Sequence, residues 1–358
     1  MPSPIFASPK ELAQAHALTQ CEIPKYRQAY SDRTAWQMAC YAELAYLRFN
    51  PPVISGRKRK LIDHLVAPKL NESKQLWLQR LLDEMAYDHK AERLQLQEDI
   101  ITMGAQLEET FNANGTQAIL ISTNDFLVLA FRGTEATSLK DIKADARAVT
   151  RNCDSGGKIH TGFDKAFLAV QKKLEIALSK PEFKDKPVFF TGHSLGGALA
   201  KVAAKKITHK GGNAACYTFG APRVGDDEWV STMKTSTYRV VNAADCVPML
   251  PPGADTIQLI AWLVRLFPWG GQKAAEVLLA KFSGYMHGGD MRYLSNCPAG
   301  DFTEVKLLYS VSLWYRAKGF FYKQWPWKQF LADHSISVYR KKLGIVALRR
   351  NELLDKAQ

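Results

Sequence analysis

The sequence predicts an α/β fold with a central, mainly parallel sheet, helices on both faces and an N-terminal helical cover. Between residues 162 and 245, short apolar runs alternate with helical patterns, which is typical of parallel strands joined by crossover helices. One apolar run, residues 188–190, leads through a glycine and a serine into an alanine-rich helical pattern. The N-terminal region, residues 1–100, instead shows helical patterns. These observations favour a single α/β domain over residues 1–358.

The N-terminal region contains three helical patterns. They cover residues 8–20, 31–49 and 71–97, and their apolar positions lie close to a helical period. Ser31 or Asp32 is suited to cap the second helix, and the pair Pro51-Pro52 ends it. We find no set of residues suited to catalysis in this region. It is therefore interpreted as a helical cover on a core formed by residues 101–358.

The core begins with three strand-like runs, residues 102–111, 117–122 and 126–131, separated by turn signals. A polar segment with a weak helical pattern, residues 135–149, comes next. A helix is predicted from His160 to about residue 179, and further strands are predicted at residues 213–219 and 238–242. Functional residues of such sheets gather at the carboxyl ends of the strands. Ser194 and Asp245 are both expected there.

Ser194 stands at the turn between a predicted strand and a predicted helix, in the Gly-x-Ser-x-Gly sequence of residues 192–196. A sharp turn of this kind is the nucleophile elbow of α/β-hydrolases. Gly192 and Gly196 are expected where a Cβ atom would collide with the neighbouring strand or helix. The helix N-terminus beside the serine favours negative charge that develops there. The pattern predicts a catalytic serine, and the alternative is a structural glycine-rich turn.

A catalytic serine needs a histidine that takes its proton and usually a carboxylate that orients the imidazole. In α/β-hydrolases the acid and then the histidine follow the serine along the chain. The acids in this order are Asp226, Asp227, Glu228 and Asp245, and the histidines are His209, His287 and His334. Asp245 is preferred because it follows a strand directly, whereas the earlier aspartates begin a polar helix. His209 ends the elbow helix, and chain order does not decide between the two later histidines.

Six short motifs follow one another within residues 35–343. They are Phe131-Arg132-Gly133-Thr134, His160-Thr161-Gly162-Phe163, the elbow, Gly220-Ala221-Pro222-Arg223-Val224-Gly225, the segment 241–252 around Asp245, and Asp333-His334-Ser335 followed by Tyr339. Together they resemble the class 3 lipases, the family of the filamentous-fungal triacylglycerol lipases.

The resemblance implies roles that the residues alone leave open. It makes His334 the catalytic base and assigns a structural role to the motif at His287. It also implies an oxyanion hole formed by Thr134 and by the main-chain N–H of Leu195. Two donors held where the negative oxygen forms supply several kcal/mol of transition-state stabilisation in enzymes of this kind.

Two features depart from the family pattern. Residues 138–146, which align with the lid of the fungal relatives, have Ile142 in place of a tryptophan and contain lysines. This departure argues against lid-driven activation at a lipid interface. The second feature is an apolar insertion at about residues 253–286.

Within the insertion, residues 257–269 form a helical pattern that is apolar nearly all round and too short to span a bilayer. One interpretation is a helix buried in the core. The other is an interfacial or lid element in which Trp262, Phe267 and Trp269 meet lipid headgroups. A further aromatic cluster, residues 320–327, precedes the His334 motif and is suited either to line an acyl-chain groove or to pack.

Composition limits the classes of function. The net charge of +13 and the pI of about 9.3 favour polyanions or an anionic membrane surface, or else a solvated basic surface. Nucleic acid is not expected as a partner, because no recognised binding motif accompanies the charge. Six scattered cysteines lack zinc-site spacing, so we expect no metal and mostly reduced thiols, although one disulfide stays open. With no signal-peptide or transmembrane pattern, a cytoplasmic location or export without a cleavable signal is expected.

The sequence as a whole predicts a serine carboxylic ester hydrolase that acts on lipids and needs no cofactor. Ser194, Asp245 and His334 are the expected catalytic residues. Triacylglycerol lipase activity is the family default. The basic charge raises an alternative, a phospholipase A1-type enzyme acting on anionic membranes, which could be an exported antibacterial effector. A non-catalytic lipid- or protein-binding module is a third hypothesis, and a peptidase or thioesterase would use the same three residues.

Overall fold

The computed structural model describes residues 5–20, 23, 28–49, 88–133, 150–251, 253–265, 267, 270–282, 284–298, 300–309, 311–312, 315 and 333–355. In these residues the strands are β1 Gln106–Ala113, β2 Thr116–Ser122, β3 Leu127–Phe131, β4 Thr150–Asn152, β5 Lys158–His160, β6 Val188–His193, β7 Asn213–Phe219, β8 Thr237–Asn242, β9 Asp290–Leu294 and β10 Leu307–Leu308. The helices are α1 Pro9–Thr19, α2 Asp32–Leu44, α3 His89–Thr102, α4 Thr161–Leu178, α5 Leu195–Lys206, α6 Asp227–Ser231, α7 Ala254–Arg265, α8 Gly271–Phe282 and α9 Ile336–Asp355, with a 3₁₀ turn over Val247–Met249.

Within the described residues, eight strands form one sheet in the order β1-β2-β3-β6-β7-β8-β9-β10. Strands β3, β6, β7, β8 and β9 run parallel, whereas β1, β2 and β10 pair antiparallel to their neighbours. The fold is therefore the predicted α/β-hydrolase fold with a mainly parallel sheet. Strands β4 and β5 form a separate antiparallel pair.

The sheet is covered on both faces, which explains the continuous apolar runs in its central strands. Every residue of β3 and β6 is buried. One face packs against α2 and α9, with Trp36 and Tyr41 buried among them. The other face packs against α4 and α5, with Phe167 in that layer. The predicted strands and crossover helices of the core are confirmed.

The first two predicted helices are present as α1 and α2, which are capped by Ser8 and Ser31. Helix α2 ends at Leu44 rather than at the predicted residue 49, so its end does not lie at the Pro51-Pro52 pair. The helix predicted at residues 71–97 falls largely outside the described residues. The first core strand begins at Gln106 rather than at residue 102, because α3 continues to Thr102 and ends where Gly104 adopts a φ of +70°.

The insertion forms two helices, α7 and α8, which pack against each other. The interpretation of a helix buried in the core is wrong, because in the described residues only one face of α7 is covered. Ile257 and Ala261 are buried, but Trp262 is 56% exposed and Phe267 is 70% exposed. The first helix also ends at Arg265, earlier than the predicted residue 269.

Both ends of the insertion are attached to the loop that follows β7. The N–H of Arg223 donates to the carbonyl of Leu250 over 2.8 Å, before the insertion. The N–H of Met286 donates to the carbonyl of Gly225 over 2.9 Å, after it. The insertion therefore leaves the fold and returns to it at nearly the same place.

Among the described helices, none combines the length and the apolar character needed to cross a membrane. In the same residues, Cys40, Cys153, Cys216, Cys246 and Cys297 form no disulfide with one another. Cys21 lies outside the described residues.

Candidate active site

The nucleophile elbow has the strained geometry that its sequence predicts. Ser194, between β6 and α5, has φ 56° and ψ −127°, a conformation that side-chain-bearing residues rarely adopt. A Cβ on Gly192 would lie 2.3 Å from the carbonyl carbon and oxygen of Gly196. A Cβ on Gly196 would lie 2.2 Å from the carbonyl oxygen of Phe131. The two glycines allow the helix to approach the strands closely enough to form the turn, and the N–H of Ser194 is fixed by the carbonyl of Phe219 over 2.9 Å.

Ser194, His334 and Asp245 are joined by two hydrogen bonds. His334 Nε2 lies 2.9 Å from Ser194 Oγ, and His334 Nδ1 lies 2.9 Å from Asp245 Oδ2. All three residues are buried. A carboxylate accepts only, so a neutral His334 carries its proton on Nδ1 and presents the lone pair of Nε2 to the serine hydroxyl. The arrangement can remove a proton from Ser194 when that oxygen attacks an electrophile.

Asp245 lies in the turn after β8, as predicted, and its two oxygens are held by separate donors. Oδ1 accepts the N–H of Val247 over 2.9 Å, and Oδ2 accepts the Tyr339 hydroxyl over 2.6 Å. Burial and the nearby carboxylate raise the pKa of Tyr339 well above its usual value, so this hydroxyl keeps its proton and donates. Gly220 has φ +56°, and a Cβ there would lie 2.4 Å from Asp245 Oδ2. Both oxygens of Asp245 are therefore hydrogen-bonded, and the space beside Oδ2 requires a glycine at position 220.

His193, next to Ser194, is hydrogen-bonded through its ring to the backbone of His334 and to Tyr46. Its Nε2 lies 2.5 Å from the carbonyl of His334, and its Nδ1 lies 2.8 Å from the Tyr46 hydroxyl. Burial, followed by the nearby His334, lowers the pKa of His193 well below its usual value. His193 is therefore neutral, with Nε2–H donating to the carbonyl and Nδ1 accepting from the tyrosine. The sequence offered no signal for the contribution of Tyr46.

The other candidate acids and bases lie elsewhere. His287 Nε2 is 2.5 Å from the carbonyl of Pro248, and burial lowers its pKa well below the usual value. His209 Nε2 lies 2.9 Å from the carbonyl of Lys186, beyond the C-terminal end of α5. Asp226 caps α6. The structure therefore brings His334, and none of these three residues, to Ser194.

The predicted oxyanion hole is described only in part. Leu195 begins α5 directly after the nucleophile, so its N–H belongs to the first turn, where such groups have no partner within the helix. Thr134 lies outside the described residues. So do residues 138–146, residues 320–327 and Trp269. Among the described residues, no group of three or more histidine, cysteine, aspartate and glutamate side chains is arranged to hold a metal ion.

Comparison with known proteins finds similarity to lipases over part of the chain. Residues 128–254, which contain the elbow and Asp245, match the profile of the class 3 lipases. The chain is 40% identical over 112 residues to secreted mono- and diacylglycerol lipase 1 of Fusarium solani, covering 28% of this chain and 33% of that protein. It is 36% identical over 141 residues to a lipase of Rhizomucor miehei, covering 36% and 38% respectively. The chain thus spans half or less of the length of these curated relatives.

Among solved structures, a mutant form of MDLA from Penicillium cyclopium is similar with a TM-score of 0.50 and 19% identity, covering 84% of this chain and 93% of that one. At this identity the likeness concerns the fold alone. The profile match includes Ser194 and Asp245, the predicted nucleophile and acid. Over residues 128–254 the chain is therefore similar to the class 3 lipases.

Proposed function

We propose that this protein is a serine carboxylic ester hydrolase acting on lipids, and that its main activity is that of a triacylglycerol lipase. The observation that carries the proposal is the hydrogen-bonded chain Ser194–His334–Asp245, with 2.9 Å at each histidine nitrogen. The names of relatives, lipase and mono- and diacylglycerol lipase, support lipid esters as the substrate class.

The proposed reaction consists of two acyl transfers. His334, oriented by Asp245, takes the proton of Ser194 as the serine oxygen attacks the ester carbonyl. The main-chain N–H groups of Thr134 and Leu195 stabilise the oxyanion. His334 then protonates the leaving alcohol, and water releases the fatty acid from the acyl-enzyme by the same route. Proton and acyl transfer account for every step, so the proposal includes no cofactor.

The first experiment compares wild type with Ser194→Ala on a soluble short-chain ester, on triolein and on a phospholipid. Activity of the wild type on the ester, and its loss by at least about 10³-fold in the variant, are expected. Equal activity of the two proteins would rule out the serine mechanism. Lipid binding without turnover by the wild type would favour the non-catalytic module instead. Peptide and thioester substrates, tested in parallel, separate the other hydrolase classes.

The alternative substrate is a phospholipid in an anionic membrane. It is favoured by one observation, the net charge of +13. A phospholipase A1-type enzyme would release the sn-1 fatty acid from anionic vesicles faster than it cleaves triolein, and the rate would fall as salt is added. A higher rate on triolein at all salt concentrations would favour the lipase assignment. Cell fractionation distinguishes a cytoplasmic protein from an exported one. An exported phospholipase would fit the antibacterial effector named above.

We further propose that the helical insertion contacts the lipid surface. The apolar side chains Trp262, Leu263, Phe267 and Val277 are 56%, 47%, 70% and 64% exposed on it. Large aromatic side chains in such positions suit the headgroup region of a membrane. Trp269 belongs to the same sequence segment and is included in the proposal.

The test of the interfacial contact is a double replacement, Trp262→Glu with Phe267→Glu. It is expected to weaken vesicle binding and activity on emulsified lipid while leaving turnover of a soluble short-chain ester within about twofold. The matched control is Leu168→Glu with Ile176→Glu, since these side chains are 44% and 59% exposed on α4. Unchanged vesicle binding in the first double variant, or equal loss in the control, would contradict the proposal.

A further inference from the structure

The base is the one member of the Ser194–His334–Asp245 set that does not lie at the end of a sheet strand. His334 precedes the final helix α9, in a short turn that pairs with no strand of the sheet. Its imidazole nevertheless has to meet Ser194 after β6 and Asp245 after β8. The position of this turn relative to the strand ends therefore sets both hydrogen bonds of the base.

Two side chains donate hydrogen bonds to consecutive main-chain carbonyls of this turn. The carbonyl of Asp333 accepts from Nδ2 of Asn242 over 2.9 Å, and the carbonyl of His334 accepts from Nε2 of His193 over 2.5 Å. His193 is the last residue of β6, and Asn242 is the last residue of β8. The turn is thus attached to the same two strand ends that carry the nucleophile and the acid.

The hydrogen bond from Asn242 to the Asp333 carbonyl forms in only one of the two orientations of the Asn242 amide. Oδ1 accepts from the buried ammonium of Lys342 over 2.6 Å and from the N–H of Ala243 over 3.1 Å. A lysine ammonium can only donate. With Oδ1 facing Lys342, Nδ2 must face Asp333. In the flipped amide, two donors would face each other at Lys342 and two oxygens would face each other at Asp333.

Lys342 is itself fixed in place. It is 1% exposed, it lies on α9 beyond the turn, and its ammonium also donates to the carbonyl of Ser295 over 2.8 Å. Burying a lysine is unfavourable unless its charge is hydrogen-bonded, so the position strongly favours acceptors at Asn242 and Ser295. An apolar side chain of similar length would fill the same space without providing a donor.

We propose that Lys342 and Asn242 act as a positioning pair for the catalytic base. Lys342 fixes the amide of Asn242, and Asn242 holds the carbonyl of Asp333 so that the imidazole of His334 stays aligned between Ser194 and Asp245. The inference rests on the proposed hydrolase function. It assigns neither residue a contact with the reacting atoms, and it predicts an effect on turnover rather than on substrate binding.

Two single variants separate positioning from stability. Lys342→Met keeps the volume and removes the donors. Asn242→Asp keeps an acceptor for Lys342, forming a buried ion pair, but replaces the Nδ2 donor with an oxygen that repels the Asp333 carbonyl. Both are expected to lower kcat on a soluble short-chain ester by about 10- to 100-fold, with KM within about twofold, since small misplacements of catalytic groups reduce turnover strongly.

The matched control is Lys201→Met. Lys201 is also a buried lysine, 3% exposed, and it lies on α5 with Cys216, Arg223 and Arg239 near it. Its replacement makes the same chemical change without touching the Asn242 amide, so kcat is expected to stay within about threefold of wild type. Values of kcat are expressed per folded molecule, with the folded fraction obtained from near-ultraviolet circular dichroism.

A double-mutant cycle tests whether Lys342 acts through Asn242. In an Asn242→Ala background, Lys342→Met is expected to lower kcat by less than about twofold, because the amide it orients is absent. A full loss in that background would show that Lys342 acts by another route and would overturn the proposal. Retention of wild-type kcat by both Lys342→Met and Asn242→Asp would overturn it as well.

The possible outcomes remain separate from those for the proposed function. Wild type without esterase activity, or Ser194→Ala with full activity, would reject the hydrolase itself. An active wild type with unaffected variants rejects only the positioning pair. If Lys342→Met does not fold, the decision rests on Asn242→Asp, in which the buried charge has a carboxylate partner; normal kcat in that variant refutes the proposal.

Discussion

His160 should make the protein less stable in acid, by an amount that follows from its environment. The residue caps α4, with Nδ1 accepting the N–H groups of Gly162 over 3.1 Å and Phe163 over 3.4 Å. Its ring is stacked on Phe163 with 4.1 Å between centroids, and it is 2% exposed. Burial lowers the pKa of His160 to about 4. Protonation would also convert the capping acceptor into a donor that faces two N–H groups.

The sign and size of this change in the free energy of unfolding follow from how His160 binds a proton in the folded and in the unfolded state. The unfolded chain binds a proton at this histidine near its ordinary pKa of about 6.5, whereas the folded chain binds it only near pH 4. As pH falls from about 7 toward 4, the unfolded state gains protons that the folded state does not, and the free energy of unfolding decreases. Between about pH 7.5 and pH 5 the contribution of this one residue is ~2 kcal/mol.

The measurement is urea denaturation of wild type and His160→Asn at both pH values. Asparagine retains a capping oxygen and does not titrate, so the variant should lose ~2 kcal/mol less than wild type on acidification, whatever its stability at neutral pH. His16→Asn, which replaces an exposed histidine of α1, is the control and should lose as much as wild type. An equal loss in wild type and His160→Asn would refute the argument that buried His160 resists protonation.

Three further predictions concern the site itself. His334→Ala should lower kcat on a soluble ester by about 10⁴-fold or more, whereas His287→Ala should leave kcat within about tenfold of wild type. Steady-state kinetics compare the two variants, and equal losses of kcat would contradict the assignment of His334 as the base. Gly196→Ala places a Cβ 2.2 Å from a main-chain carbonyl oxygen of a neighbouring strand. It should therefore lower the free energy of unfolding by about 1–3 kcal/mol or more. A variant that melts at the same temperature as wild type would contradict this clash. Tyr339→Phe removes the hydroxyl that donates to Asp245. In denaturant titrations it should lower the free energy of unfolding by about 1.5–3 kcal/mol. An unchanged free energy of unfolding would mean that the carboxylate finds another donor.

Those parts of the fold that depend on local pattern could be predicted from sequence. Strand β7 was predicted with its observed bounds, and the elbow glycines were predicted because a Cβ has no room there. Asp245 was preferred since it follows a strand, and it lies at that position in the site. The fold predictions were confirmed because each depends on residues close together in the chain, whereas the catalytic role of Asp245 stays a prediction.

What could not be predicted depends on contacts between distant residues. His287 and His334 both follow the acid, so chain order cannot separate them, and the family resemblance made the choice. Tyr46 meets His193 across 147 residues of sequence, and Lys342 meets Asn242 across 100. A lysine within a basic C-terminal segment resembles a solvated surface residue until packing buries it. Likewise, the sequence does not decide whether the helix predicted at residues 257–269 is buried or exposed, because an apolar pattern does not indicate which face another element will cover.

The attachment of the helical insertion to a single loop has a consequence for how this protein could change over time. Residues 250 and 286 are both hydrogen-bonded to the loop after β7, the described residues between them form no strand of the sheet, and β8 pairs directly with β9. Such an excursion can be lengthened, shortened or exchanged with little effect on the remaining fold. The surface that we propose meets lipid could therefore be exchanged as one unit, while the proposed chemistry at Ser194 is inherited unchanged.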